Sequence, residues 1–343
     1  MSLALPYLTA DLPGTGGSLR VDASDFEVEE VPAYRPAGEG SHVFAWIEKR
    51  GLTTIQAVRA LAGALGVNER DVGAAGMKDR HAVTRQYLSF PPPVAPEALL
   101  AVKVDGVTVL SAERHGNKLR TGHLAGNRFR LALRNLAIPA DVAAERATTI
   151  LGHLSEPPGS PNWYGEQRFG VAGDNAAAGR ALLRGGRRRG REARLLVSAY
   201  QSSLFNRYLE RRMGDGKYRQ VIGGDILMVA SGGMFASSEP EVDQARLARG
   251  EVTPTGPMFG HSMRAPVPDS EAGGREASIL LEEGLSPADF KPLGTLAPGA
   301  RRAIAVAIAG ASVAPIAADA IQLAFQLPAG AYATAVMREI TKE

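Results

Sequence analysis

Residues 76–86 read GMKDRHAVTRQ, and the stretch runs on as YLSF to residue 90. The small residues Gly73 to Gly76 lead into three charged ones, Lys78, Asp79 and Arg80, after which Val83 to Phe90 has the β-branched and aromatic content of a strand. A charged loop between two such segments is in most proteins a solvated turn. It is also a place where a carboxylate can stand beside cations. The second possibility matters because the chain has no cysteine, which removes thiolate nucleophiles, disulfides, iron–sulfur clusters and cysteine-ligated zinc together.

Upstream of this loop, Thr53 and Gln56 have the spacing of a capping box. Ile55, Val58, Ala62 and Leu65 share one helical face that stops before Gly66, so a helix is expected there. Asp25 to Val31 and Ser41 to Glu48 read as strands joined by the turn PAGEG, and are expected to pair at a sheet edge. Downstream, NRFRLALR alternates, with Phe129, Leu131 and Leu133 on one face and Arg128, Arg130 and Arg134 on the other. One face is core and the other basic.

A helix is expected from about Asp141 to Leu154, closed by Pro157, Pro158 and Gly159. Beyond it come an Arg-dense stretch from Arg180 to Arg194, a long helix over residues 195–213, and segments punctuated by Gly and Pro to about residue 300. A strand at 319–327, a turn at Pro328 to Gly330 and a short helix at 333–340 finish the chain. No internal repeat is present.

At 343 residues, with 45% hydrophobic and 22% charged side chains, the chain suits two globular units. The segment Ala303 to Ala318 is apolar, but Gly310 and Pro315 interrupt it, so it reads as core rather than a membrane span. The N-terminus lacks the pattern of a secretory signal. With the missing cysteines, this leads to an expectation of a cytoplasmic protein. The net charge of +3 is compatible with a nucleic-acid partner.

Common catalytic templates are absent. There is no HExxH, no GxSxG and no complete GxGxxG, since Leu19 takes the third glycine position after Gly14 and Gly16. The Walker pattern fails at Met77 to Asp79, and the place of a second aspartate two residues after Asp79 is taken by His81. The six histidines show no metal spacing.

GMKDRHAVTRQ resembles the signature of the TruD family of transfer-RNA pseudouridine synthases, with Gly76, Lys78, Asp79, Arg80, Ala82, Thr84 and Gln86 in matching positions. GNRFRL with Asn127 and Phe129, NWYGEQRFG from Asn162 to Gly170, LPAGAYATAVMRE from Leu327 to Glu339, and Asp25 and Phe26 followed by GEGSH resemble the same family in the same order. The chain departs from it at Trp163 and Tyr164, where Tyr-Phe is common, and at Tyr332, where Phe is common. Both departures keep an aromatic face.

The resemblance implies a mixed α/β (α+β) fold. A catalytic domain with a mainly antiparallel sheet would span residues 1–155 and 301–343, and a family-specific α/β domain would be inserted at 156–300. It implies isomerisation of uridine to pseudouridine at position 13 of transfer RNA, in the D arm. That reaction breaks the C1′–N1 bond and rejoins uracil through C5 without net redox change, so no cofactor is expected. Asp79 would act by adding to C1′ or by taking a ribose proton to give a glycal. A cation favours the ionised carboxylate, and Lys78, Arg80 or Arg20 could supply it, with Arg20 preferred by resemblance. Phe26, Phe129 and Tyr332 match positions lining the uridine pocket, although Phe129 by itself reads as core. Asn127 suits reading the uracil edge or holding the Asp79 loop.

A flipped-out base costs a few kcal/mol, which stacking of about 1 to 3 kcal/mol per base offsets. Within NWYGEQRFG, a packed hinge competes with RNA contact by Gln167 or Arg168. Arg187, Arg188, Arg189 and Arg191 would give salt-sensitive phosphate contacts. The expected partner is transfer RNA, bound by a monomer without membrane or metal. Two other readings stay open, an RNA-binding or RNA-remodelling protein whose isomerase activity is lost or secondary, and a glycosidase. The second usually needs another carboxylate to activate water, and the loop has none.

Overall fold

A computed structural model describes residues 5–170, 172–186 and 190–343, except the side chain of Arg191. Arg187 to Arg189, with the Arg191 side chain, therefore lie outside the described residues. The chain forms two compact units. One holds residues 14–151 and 308–331, and the other holds residues 5–13, 152–307 and 332–342. The chain passes between the units near residues 13, 151, 307 and 331. Residues 5–13 and the closing helix cluster with the 152–307 unit.

The first unit is built on a nine-stranded, mainly antiparallel sheet. Its main strands and helices are β1 (Phe26–Pro32), β2 (His42–Arg50), α1 (Thr54–Leu65), β3 (Val83–Phe90), β4 (Val107–His115), β5 (Leu124–Arg134), α2 (Ala140–Ser155), β6 (Ala309–Ala317) and β7 (Ala320–Pro328). The spatial order is β6-β7-β5-β1-β3-β2-β4. β1 and β3 are parallel and the other neighbours antiparallel. The expected pairing of β1 with β2 is corrected, because β3 inserts between them and β1 lies centrally. The connection from Ala33 to Ser41 is too long for a tight hairpin, and the partner comes from far along the chain.

Period-2 alternation decides which face is core. Phe26 and Val28 of β1, Phe129, Leu131 and Leu133 of β5, and Ile321, Leu323 and Phe325 of β7 are buried on one face. On the other face Arg128 meets Glu29 at 2.7 Å, Arg130 meets Glu27 at 3.8 Å and Arg134 meets Asp25 at 2.8 Å. The expected basic face is thus balanced by carboxylates from the neighbouring strand and its 3-10 turn.

In α1, Thr53 caps the helix by accepting from Gln56 N, and Gly66 ends it at φ 68°. Thr54, Ala57, Leu61 and Ala62 are the buried positions while Ile55 is 45% exposed, so the apolar face is rotated from the one expected. The expectation of core at Ala303 to Ala318 holds only at its start, where Ile304, Ala305 and Ile308 are buried. From Ala309 the chain is the exposed strand β6, at the edge of the sheet beside β7, and Pro315 is tolerated there.

In the second unit a four-stranded antiparallel sheet runs in the order Met234–Ala236, Ile226–Val229, Val252–Met258, Ala300–Ala303. The helix Gly190–Gly214 carries Leu196, Val197, Tyr200 and Leu204 into a core with Leu182, Ile279, Leu280 and Phe290. It packs closely on the helix Asn175–Leu183, because a Cβ at Gly179 would stand 2.1 Å from the Leu196 carbonyl oxygen. Among the described residues no helix is long and apolar enough to cross a membrane.

Glu339, on the helix Ala333–Thr341, accepts from Leu8 N at 2.7 Å and from Thr9 N and Oγ1 at 3.1 and 2.7 Å. Glu339→Ala leaves these buried donors without an acceptor and is expected to cost about 1 to 3 kcal/mol, read as a lowered urea midpoint. An unchanged midpoint would mean that other contacts hold residues 5–13.

Candidate active site

The loop carrying Asp79 leads into β3 and is fastened from beneath. Gln86 of β3 donates to the Gly76 carbonyl at 3.2 Å and accepts from the Thr54 hydroxyl at 2.8 Å; that hydroxyl in turn accepts from Lys78 N at 2.8 Å. Thr54 and Gln86 are buried. The chain of bonds explains why a Thr at the start of α1 and a Gln on the core face of β3 accompany the loop. A buried polar group needs a partner, and each supplies the other's.

Asp79 points outward from this fastened backbone. Its side chain is 53% exposed and receives Arg20 Nη2 at 3.4 Å. Arg20 has φ 63°, a left-handed conformation that costs a non-glycine residue about 1 kcal/mol or more. Its guanidinium lies 4.2 Å from the centre of the Phe26 ring. Stacking on an aromatic face restrains a long cation, so Phe26 holds Arg20 against Asp79. Of the three cations the sequence offered, the other two point elsewhere. Arg80 donates to the Gly51 carbonyl at 3.0 Å, and Lys78 turns inward.

Lys78 Nζ donates to Asn127 Oδ1 at 2.6 Å and pairs with Glu30 at 3.3 Å, where side-chain exposures are 5% and 1%. Burial pushes the Glu30 carboxyl up and the Lys78 ammonium down from their ordinary values, and their mutual attraction opposes both shifts. Glu30 and Asn127 are cross-strand neighbours on β1 and β5, as are Val28 and Phe129 two residues on. Phe129 is 6% exposed, packed edge-on to Phe26 at 6.4 Å and against Phe325 at 5.6 Å. Both rings are largely covered, leaving little aromatic edge at the surface.

Arg20, Phe26, Lys78, Asp79, Asn127 and Phe129 thus gather in the first unit. Tyr332 belongs to the second, where it is the N-cap of the helix Ala333–Thr341 and its ring meets Tyr164 at 6.1 Å. The Arg302 guanidinium lies 4.0 Å from the Tyr164 ring centroid and that of Arg168 lies 5.5 Å from it. Tyr164 also exchanges two 2.9 Å bonds with the Asn206 side chain through its backbone. Arg168 donates to Ser202 at 3.1 Å and to Ser198, whereas Gln167 is exposed. NWYGEQRFG is a packed element here, with Gln167 on its surface.

Two buried charges at the loop, Glu30 and Lys49, are absent from the candidates named from sequence. Their signal is present, because Glu30 follows Phe26 and Val28, and Lys49 follows Val43, Ala45 and Ile47, in the core phase of their strands. A charge in that phase requires a buried partner.

The family described as tRNA pseudouridine synthase D (TruD) matches residues 2–190 and 189–340. A tRNA pseudouridine synthase D of Anaeromyxobacter dehalogenans is 50% identical over 98% of this chain and 96% of its own length. One of Thermus thermophilus is 42% identical over 98% and 92%. A solved structure from Methanosarcina mazei, provisionally assigned as tRNA pseudouridine synthase D, superposes with a TM-score of 0.77 at 22% identity, covering 98% of this chain and 96% of that one. The last likeness concerns the fold. With the family matched along nearly the whole chain and relatives at up to half identity, the chain belongs to the TruD family of tRNA pseudouridine synthases.

Proposed function

We propose that the chain isomerises uridine to pseudouridine in transfer RNA, at position 13 of the D arm, with Asp79 as the nucleophilic carboxylate. The observation that carries this is the outward carboxylate of Asp79 on a fastened loop, facing an arginine that is itself held on Phe26. A pure RNA binder has no use for a carboxylate where a phosphate has to approach. Either route, attack at C1′ or removal of a ribose proton, uses an ionised carboxylate beside the sugar, and Arg20 Nη2 stands 3.4 Å from that of Asp79.

Asn127 then gains a defined role. Lysine only donates, so the amide atom 2.6 Å from Lys78 Nζ is the carbonyl oxygen, and the NH2 is the group left for a ligand. A uracil carbonyl accepts from it; the amino group that cytosine carries at C4 does not. Phe26 and Phe129 are assigned to the surroundings of the uracil, and the substrate is bound without a cofactor.

The test is mapping of pseudouridine by mass spectrometry in unmodified transfer RNA after incubation with the protein. Product in the D arm supports the reading. Salt-dependent binding without product would favour the RNA-binding alternative. Arg20→Met is expected to lower kcat by about 10- to 100-fold. Stability should change by about 1 kcal/mol or less, since the pair is open to solvent, with side chains 29% and 53% exposed. An unchanged kcat would remove Arg20 from the site.

A further inference from the structure

Lys49 ends the core-facing row of β2, and its residue is fully buried. Its Nζ donates to the Leu52 carbonyl at 2.6 Å, to the Asp79 carbonyl at 2.8 Å and, more weakly, to the Lys78 carbonyl at 3.4 Å. An ammonium has three donors and no acceptor, and here each hydrogen faces a carbonyl. One side chain thereby joins the turn that enters α1 to the backbone of the residue whose carboxylate faces Arg20. Among the described residues no other side chain bonds to the Asp79 backbone; Thr54 and Gln86 fasten Lys78 and Gly76.

We infer that Lys49 is a positioning residue for the isomerisation, one that in its ammonium form fixes the main chain at Asp79 and so the direction of the carboxylate. The inference rests on the role proposed for Asp79. A hydrophobic residue of similar length would fill the space and leave three carbonyls unmatched. The neutral amine could donate to two at most and would turn its lone pair on the third.

Charge adds to geometry. Burial pushes Lys49 down to about 8, Asp79 acts to raise it and Lys78 to lower it further. The Lys78 charge is in turn faced by Glu30. Glu48 and Arg50, beside Lys49 in sequence, pair with each other, and Glu48 also pairs with Arg85. A lowered value means that the ammonium is lost as pH rises through about 8, and the three-carbonyl clasp with it. Turnover should fall in that range while RNA binding does not.

The experiment compares the full chain with Lys49→Met and Lys49→Arg in single-turnover isomerisation of unmodified transfer RNA from roughly pH 6.5 to 9.5, with RNA affinity measured in parallel. Lys49→Met is expected to slow turnover by about 100-fold, as a slightly misplaced reacting group does, with affinity within about threefold. The wild-type rate should decline above about pH 8, and Lys49→Arg, whose charge persists, should keep a flat profile there.

A Lys49→Met rate within about threefold of wild type, or a rate loss matched by an equal loss of affinity, would overturn the inference. So would the same alkaline decline in Lys49→Arg as in wild type. If neither variant folds, the wild-type profile decides, and one that stays level to about pH 9 overturns it. Wild-type protein that makes no pseudouridine refutes the proposed function instead, a result the variants do not affect.

Discussion

Asp79→Asn is expected to abolish isomerisation, lowering turnover by at least about 10⁴-fold, while transfer-RNA affinity stays within about threefold. The amide keeps the size and shape of the carboxylate and removes its charge and nucleophilicity. The fold has little stake in the change. The side chain is half exposed and Arg20 stands 3.4 Å from it, a pair worth under about 1 kcal/mol. The contacts that hold the loop involve the Asp79 carbonyl and the Lys78 and Gly76 backbone, which the substitution leaves alone. Matched melting curves with lost turnover would therefore locate the effect in chemistry. Turnover within about tenfold of wild type would remove Asp79 as nucleophile.

The parts of this arrangement legible in the sequence are those that depend on neighbours along the chain. The alternation from Asn127 to Arg134 placed Phe129 and Leu131 correctly because a strand's two faces follow from its period. The capping box placed α1 for the same reason. The β1–β2 pairing misled because only tertiary structure decides that β3, from 50 residues further on, comes between them. The Arg128, Arg130 and Arg134 face looked basic because its partners, Glu29, Glu27 and Asp25, lie about a hundred residues away.

In α1 the burial of Thr54 in place of Ile55 has a related cause. Thr54 is drawn inward by Gln86 and Lys78, a polar demand that hydrophobic periodicity does not register. The site shows the same division. Asp79, Asn127 and Phe129 came from resemblance and Arg20 was preferred among three cations on the same ground, whereas Glu30 and Lys49 appear as charges in the core phase of otherwise apolar strands. Counting such charges would have pointed to the loop, though not to their partners.

In the second unit, the largest loss of stability is expected from Arg212→Met, about 3 to 5 kcal/mol. Within the charged run Glu210 to Arg212 near the end of the helix Gly190–Gly214, Arg212 is fully buried. Its guanidinium makes two 2.7 Å bonds to Asp225, one of 2.9 Å to Tyr208, and others of 2.6 and 3.1 Å to the carbonyls of Gln220 and Lys217. All five donors find acceptors, in the planar fork that arginine alone provides. Burial opposes the charge, but these acceptors outweigh it and push Arg212 above its ordinary range.

Methionine restores the volume and leaves the Asp225 carboxylate, 1% exposed, with only the Ile222 N–H and its own backbone surroundings. Arg212→Lys should be nearly as damaging, because three donors on a single nitrogen cannot span the fork. Adding Asp225→Leu to Arg212→Met removes the orphaned charge, so the double variant should be more stable than the sum of the two single losses by at least about 1 kcal/mol. Urea unfolding of the four proteins measures the cycle. A cost below about 1 kcal/mol for Arg212→Met, or strict additivity, would mean that Asp225 is relieved by water or by protonation, and that the fork is not what secures the end of the helix Gly190–Gly214.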